Sequence, residues 1–228
     1  FEEFPNLHMM MVDLHEYLLH QFPILLPTPV KWKKSKFGVS SFKAATNILF
    51  ISKMDLKNHI RSIPDYPKKG ILFRDITTLI KNEEAFAETI NQIIDRSKKF
   101  EFDKIAAIES RGFVFASAVS YVLKKPFIML RKKNKLPADV YSVDFELEYG
   151  TATIEVHKDS IQKDEKVLII DDLIATGGTA EAAAKLIEIS NGKVACFVFV
   201  INLFDLNGSD NLLKKGYKVE NIIEFPGH

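Results

Sequence analysis

The stretch from Val167 to Thr179, Val-Leu-Ile-Ile-Asp-Asp-Leu-Ile-Ala-Thr-Gly-Gly-Thr, limits the fold of this chain more than any other segment. A short apolar run leads into two adjacent carboxylates, a loop of small residues, and a helical pattern beginning near Thr179. A run this apolar suits a strand buried on both faces of a parallel sheet. Burial alone does not explain the aspartates, because an unpaired carboxylate loses its hydration inside such a strand. They fit the strand's carboxyl end, where open α/β sheets take their ligands. Gly177 and Gly178 have no Cβ, so the backbone can approach a ligand closely and take positive φ. The first N–H groups of the following helix lack intrahelical acceptors and carry the positive end of its dipole, which attracts phosphate. Asp171 and Asp172 can accept hydrogen bonds from two sugar hydroxyls. A phosphorylated sugar satisfies all of these groups together. The segment is not a nucleotide-binding P-loop, because Thr179 stands where that loop needs Lys. The chain also lacks the G-x-G-x-x-G of a dinucleotide fold.

The surrounding pattern alternates helix and strand from Asp55 onward. Asn82 is placed to cap a helix from Glu83 to about Lys98, with Phe86, Ile90, Ile93 and Ile94 on one face. Lys104 to Ile108 reads as a strand running into Glu109-Ser110-Arg111-Gly112, followed by a helix from about Phe113 to Leu123 and a strand Phe127 to Leu130. Arg131 to Glu148 is charged and shows no convincing regular element. Thr151 to His157 alternates as a half-exposed strand, Val194 to Ile201 reads as buried, and Lys218 to Phe225 as another strand. Strands separated by helices predict an α/β fold, a parallel sheet flanked by helices.

Composition narrows the function by exclusion. The net charge of +1 over 228 residues leaves no excess of cations for nucleic acid. No apolar run reaches the length of a membrane span. Cys196 is the only cysteine and lies in an apolar run, so no intrachain disulfide can form and a reducing, cytoplasmic setting is expected. The histidines lack the paired spacing of a zinc site, so no protein-built metal centre is expected. Residues 1–53 differ from the rest: Tyr17 to Lys53 has no acid, several lysines, and Pro23, Pro27 and Pro29. We read 1–53 as a loosely packed extension and 54–228 as the main domain. An organellar location follows only if the extension is a transit segment.

The Val167–Thr179 stretch resembles the PRPP-binding motif of type I phosphoribosyltransferases along its whole length. Further segments are similar to the adenine branch of that family: Ile60 to Pro67 with Gly70 to Ile76, Glu109-Ser110-Arg111-Gly112-Phe113, Arg131-Lys132-Lys133-Asn134-Lys135-Leu136-Pro137, and Leu147-Glu148-Tyr149-Gly150. The resemblance implies the type I fold with a small N-terminal hood and a flexible lid loop. It also implies a purine-salvage reaction that converts adenine and PRPP into AMP and pyrophosphate, with Mg²⁺ bound mainly through PRPP and water, in a homodimer.

The same resemblance assigns residues. Ala175, Thr176, Gly177, Gly178 and Thr179 would hold the 5′-phosphate, with Asp171 and Asp172 on the ribose. Ser110, Arg111, Arg131, Lys132, Lys135 and Tyr149 would meet the pyrophosphate. Leu72, Phe73 and Arg74 would frame adenine, largely through backbone hydrogen bonds, with Leu203 as the floor. Glu148 would manage the adenine proton, alongside Asp171 and Arg111 as catalytic residues. A non-proline cis peptide is implied at Ser110–Arg111. Two departures stand out: Glu109 where the family usually has Asp, and Asn202 where it typically has Glu.

Overall fold

The computed structural model describes residues 54–146 and 150–227. The 1–53 extension and the assignments to Glu148 and Tyr149 therefore lie outside the described residues. Asp55 caps a short 3₁₀ turn, Leu56–His59, by accepting from the Lys57 N–H. Arg61–Pro64 (β1) and Leu72–Asp75 (β2) pair as a small antiparallel sheet. Helices Thr77–Lys81 (α1) and Glu83–Ser97 (α2) follow. As the sequence predicts, the Asn82 side chain caps α2, accepting from the Ala85 N–H at 2.8 Å.

The remaining elements are Lys104–Ile108 (β3), Gly112–Leu123 (α3), Phe127–Lys132 (β4), Val140–Glu146 (β5), Thr151–His157 (β6) and Lys166–Ile174 (β7). Gly178–Ile189 (α4), Lys193–Leu203 (β8), the 3₁₀ turn Phe204–Leu206, Gly208–Lys214 (α5) and Val219–Phe225 (β9) complete the order. The seven-stranded sheet runs β5-β6-β4-β3-β7-β8-β9. Strands β4, β3, β7, β8 and β9 are mutually parallel, whereas β6 pairs antiparallel with both β4 and β5.

Alternation along β7 explains how the sheet is covered. Leu168 and Ile170 pack with residues of α2 and α3, while Val167 and Ile169 pack with residues of α4. Each fully buried Ile, Leu or Phe in these layers contributes about 1.5–3 kcal/mol relative to exposure. Cys196 is fully buried in β8, as expected, and burial pushes its thiol up to about 12. No described helix is long and apolar enough to cross a membrane.

The structure corrects the reading of Arg131 to Glu148 as irregular. Residues 140–146 form β5, paired along its length with β6. Its period-two signal is present, with Tyr141, Val143 and Phe145 half-buried and Ser142, Asp144 and Glu146 exposed. The polar alternates masked it, because an edge strand needs only one covered face. Strand β6 is also less open than its alternation suggests: Glu155 is buried and accepts from the Asn134 N–H at 3.0 Å and the Ser142 hydroxyl at 3.3 Å.

Candidate active site

Strand β7 ends beside the turn that leads into α4, and this junction organises the site. Asp171 and Asp172 lie in the last part of β7, with Ala175, Thr176 and Gly177 in the turn and Gly178 and Thr179 opening α4. Gly177 adopts φ +95°, a conformation that side-chain-bearing residues rarely take. Its carbonyl accepts the first helical bond, from the Glu181 N–H at 2.9 Å. The N–H groups just inside α4 have no acceptor within the helix, so the turn presents donors and a positive dipole end to an anion.

Two glycines outside this turn fix its position. A Cβ on Gly208, at the start of α5, would stand 2.2 Å from the Ala175 carbonyl oxygen and 2.9 Å from the Gly177 nitrogen. The Gly208 N–H instead donates to the Ala175 carbonyl at 3.0 Å. A Cβ on Gly112, at the start of α3, would stand 2.7 Å from Oδ1 of Asp171. The N-terminus of α3 can approach the carboxylate only because that position carries no side chain. Gly112 falls in the Glu109–Phe113 motif and Gly208 follows Asn207 in a turn-forming pair, but neither signal says what the glycine faces.

The carboxylates are held in a low-dielectric setting. Burial raises both, and the charge of Asp172 raises Asp171 further. Arg111 opposes the shift of Asp172, its Nε lying 2.8 Å from Oδ2. The Asp172 N–H donates to Oδ1 of Asp171 at 2.9 Å. Arg111 also lies over the Phe73 ring, 5.6 Å from its centroid. One guanidinium thus joins the β3–α3 loop, the carboxylate pair and the β1–β2 sheet.

The other residues singled out from sequence divide into two groups. Arg131 is tied to Glu109, Nε to Oε2 at 3.2 Å, and the Lys132 N–H donates to the same carboxylate at 2.9 Å. Burial pushes Glu109 up, but the Lys132 N–H and the Arg131 guanidinium outweigh it and hold the carboxyl below its usual range. Ser110 and the Lys132 and Lys135 side chains are exposed. Leu72 and Phe73 are half-buried and Leu203 is buried at the end of β8. The Arg74 side chain is buried and turned onto its protein neighbours, donating to the Ser62 hydroxyl at 2.5 Å and the Pro226 carbonyl at 3.1 Å.

One sequence reading changes in detail, and the Asn202 departure finds its partners. The non-proline cis peptide lies at Glu109–Ser110, one bond before the expected position. The Ser110 carbonyl already accepts from the Phe113 N–H at 3.2 Å, which draws the Ser110–Arg111 unit into the first turn of α3. Asn202 is buried at the end of β8, its Nδ2 3.3 Å from both oxygens of Glu224 and its Oδ1 accepting from the Ser209 hydroxyl at 3.2 Å.

A mostly parallel α/β sheet with a glycine turn and paired aspartates at its carboxyl edge is the arrangement that suits a phosphorylated ligand. The profile of the phosphoribosyl transferase domain matches residues 75–227. An adenine phosphoribosyltransferase of Pelagibacter ubique is 82% identical over 175 residues, covering 77% of this chain and all of the relative. The crystal structure of adenine phosphoribosyltransferase from Thermoanaerobacter pseudethanolicus is similar with a TM-score of 0.73 and 43% identity, covering 76% of this chain and 100% of that one. The Saccharomyces cerevisiae enzyme, complexed with an imino-altritol bisphosphate and adenine, has a TM-score of 0.69 and 32% identity, covering 75% of this chain and 97% of that one. The chain belongs to the phosphoribosyltransferase family, within its adenine phosphoribosyltransferase branch.

Proposed function

We propose that this protein transfers the 5-phosphoribosyl group of PRPP to adenine, releasing pyrophosphate and giving AMP, a step of purine salvage. The observation that carries the reading is the convergence of the Asp171–Asp172 pair, the Ala175–Thr179 turn and Arg111 at one edge of the sheet. The turn and the start of α4 bind the 5′-phosphate through backbone N–H groups. Asp171 and Asp172 accept from the ribose hydroxyls and place negative charge near the cationic C1′ that develops as pyrophosphate departs. Arg111 and Arg131, with Lys132 and Lys135, receive the leaving group, and Glu109 orients Arg131 for that task. Leu72, Phe73, Arg74 and Leu203 frame adenine, Tyr149 contacts phosphate, and Glu148 moves the adenine proton. A lid ending at 147–150 excludes water from the reactive sugar.

Among the described residues no three side chains of the ligating types come together to hold a metal. The Asp171–Asp172 carboxylates at the proposed ribose site suit a hard ion such as Mg²⁺ that is carried in mainly on PRPP and water. That ion would neutralise charge on the departing pyrophosphate. A homodimer is supported by the face formed by α3 and β4. Tyr121 is 81% exposed, and Met129 is 45% exposed although its strand lies inside the sheet. A cytoplasmic location is supported by the single buried thiol.

The test supplies the purified chain with PRPP and Mg²⁺ and, in separate reactions, adenine, hypoxanthine, guanine and xanthine. AMP from adenine alone is expected. Turnover of an oxo-purine would overturn the base assignment. PRPP binding without product from any base would make the protein a PRPP sensor.

A further inference from the structure

Residues 225–227 touch two parts of the fold that the proposed reaction places on opposite sides of adenine. Phe225 pairs in register with Leu203 across β8 and β9. The Arg74 guanidinium lies over the Phe225 ring, 4.4 Å from its centroid, and Lys57 lies 5.6 Å from the same ring. One residue on, the Pro226 carbonyl accepts from Nη2 of Arg74 at 3.1 Å. The next N–H, of Gly227, donates to Oδ1 of Asp205 at 2.6 Å. Asp205 lies in the 3₁₀ turn Phe204–Leu206 that directly follows Leu203. Gly227 is confined there: a Cβ would stand 2.8 Å from Leu206 Cγ and 2.9 Å from Asp205 Oδ1.

These contacts close a ring. It runs from Arg74 on β2 to Phe225 and Pro226, then from Gly227 to Asp205, and back along the chain to Leu203. The β1–β2 sheet and the end of β8 are far apart in sequence, and the 225–227 segment bonds to both. We propose that Phe225–Gly227 is a strap that sets the spacing between the two walls of the base site, with Asp205 and Gly227 as positioning residues for the purine. This inference rests on the proposed adenine reaction. None of the strap contacts reaches the Ala175–Thr179 turn, so loosening the strap should affect base binding and spare PRPP.

Three variants test it: Asp205→Ala, which removes the acceptor; Gly227→Ala, whose methyl group presses on the Leu206 and Asp205 side chains and disturbs the Gly227–Asp205 bond; and Asp205→Asn, which keeps a carbonyl acceptor for the Gly227 N–H. Steady-state kinetics with each substrate varied should show the KM for adenine raised at least fivefold in Gly227→Ala and Asp205→Ala. The KM for PRPP and kcat should stay within twofold, and Asp205→Asn should restore the adenine KM to within twofold of wild type. An unchanged adenine KM in an active Asp205→Ala enzyme would overturn the strap. Equal rises in both KM values would also overturn it, assigning the segment to general folding. If the wild-type chain makes no AMP, the adenine reading itself fails and the strap assignment with it, an outcome distinct from any variant result.

Discussion

Nε of Arg111 stands 2.8 Å from Oδ2 of Asp172, the guanidinium half-open and the carboxylate almost fully buried. The arginine partly neutralises a carboxylate that burial would otherwise drive toward protonation. It also keeps outward-facing donors available for an incoming pyrophosphate. Lysine could replace the charge but not the planar fork that meets Asp172 and Phe73 together. Arg111→Lys is expected to lower kcat/KM about a hundredfold, equivalent to about 2.7 kcal/mol. Steady-state kinetics check this, and a loss under threefold would remove Arg111 from the mechanism.

Gly208 offers a test of the phosphate turn from outside it. A methyl group there would overlap the Ala175 carbonyl at 2.2 Å, and backbone cannot move aside as a flexible side chain can. Gly208→Ala should therefore displace the turn, cost about 1–3 kcal/mol of stability as overpacking does, and weaken PRPP binding about tenfold. Calorimetric titration with PRPP together with thermal melting separates the two effects.

Glu109 holds both Arg131 and the Lys132 backbone. Glu109→Gln keeps the size of the side chain but removes the charge that fixes the guanidinium. The KM for PRPP should rise about tenfold with the adenine KM little changed, since hydrogen bonds to charged groups are worth about 1.5–3 kcal/mol. A pH-independent, wild-type PRPP KM would show that Arg131 is oriented by other means.

Asp75 makes a pH-dependent contribution to stability. It accepts from the Thr77 hydroxyl at 2.6 Å and from Arg61, and these bonds depress its carboxyl to about 2. A depressed acid stabilises the fold above its unfolded value, near 3.8, and loses that contribution as pH falls through about 2. Because Arg61 is largely exposed, the contribution is about 1 kcal/mol. Wild type should therefore melt above Asp75→Asn at neutral pH, and the gap should close between about pH 4 and pH 2. A gap that stays constant through that range would separate Asp75 from acid stability.

Glu148→Gln should lower turnover sharply while leaving PRPP affinity intact, because the proposed role concerns the adenine proton alone. Single-turnover kinetics beside PRPP titration measures both. An unchanged turnover number would take Glu148 out of the reaction.

Much of the fold is legible where the signal is local. The Asn82 cap needs only one side chain and an N–H three residues on, and α2 begins where that pair predicts. The apolar run before Asp171 and the glycines after it place β7 and α4 to within a residue or two. Strand β5 was hidden because its exposed face carries Ser142, Asp144 and Glu146, a composition shared with loops. Its pairing with β6 is what makes the alternation meaningful.

The sequence by itself determined the strand-turn-helix at 166–189, the alternation that builds a parallel sheet, and the chemical types available at its edge. These depend on backbone conformation and on neighbours a few residues apart, which composition and period encode directly. Only the tertiary structure decided which groups meet. Arg111 reaches Asp172 and Phe73, Gly208 supports the turn at Ala175, and Arg74 bonds to Pro226, 152 positions away. Such pairings arise from the register and packing of the whole sheet, so no local pattern in the chain specifies them.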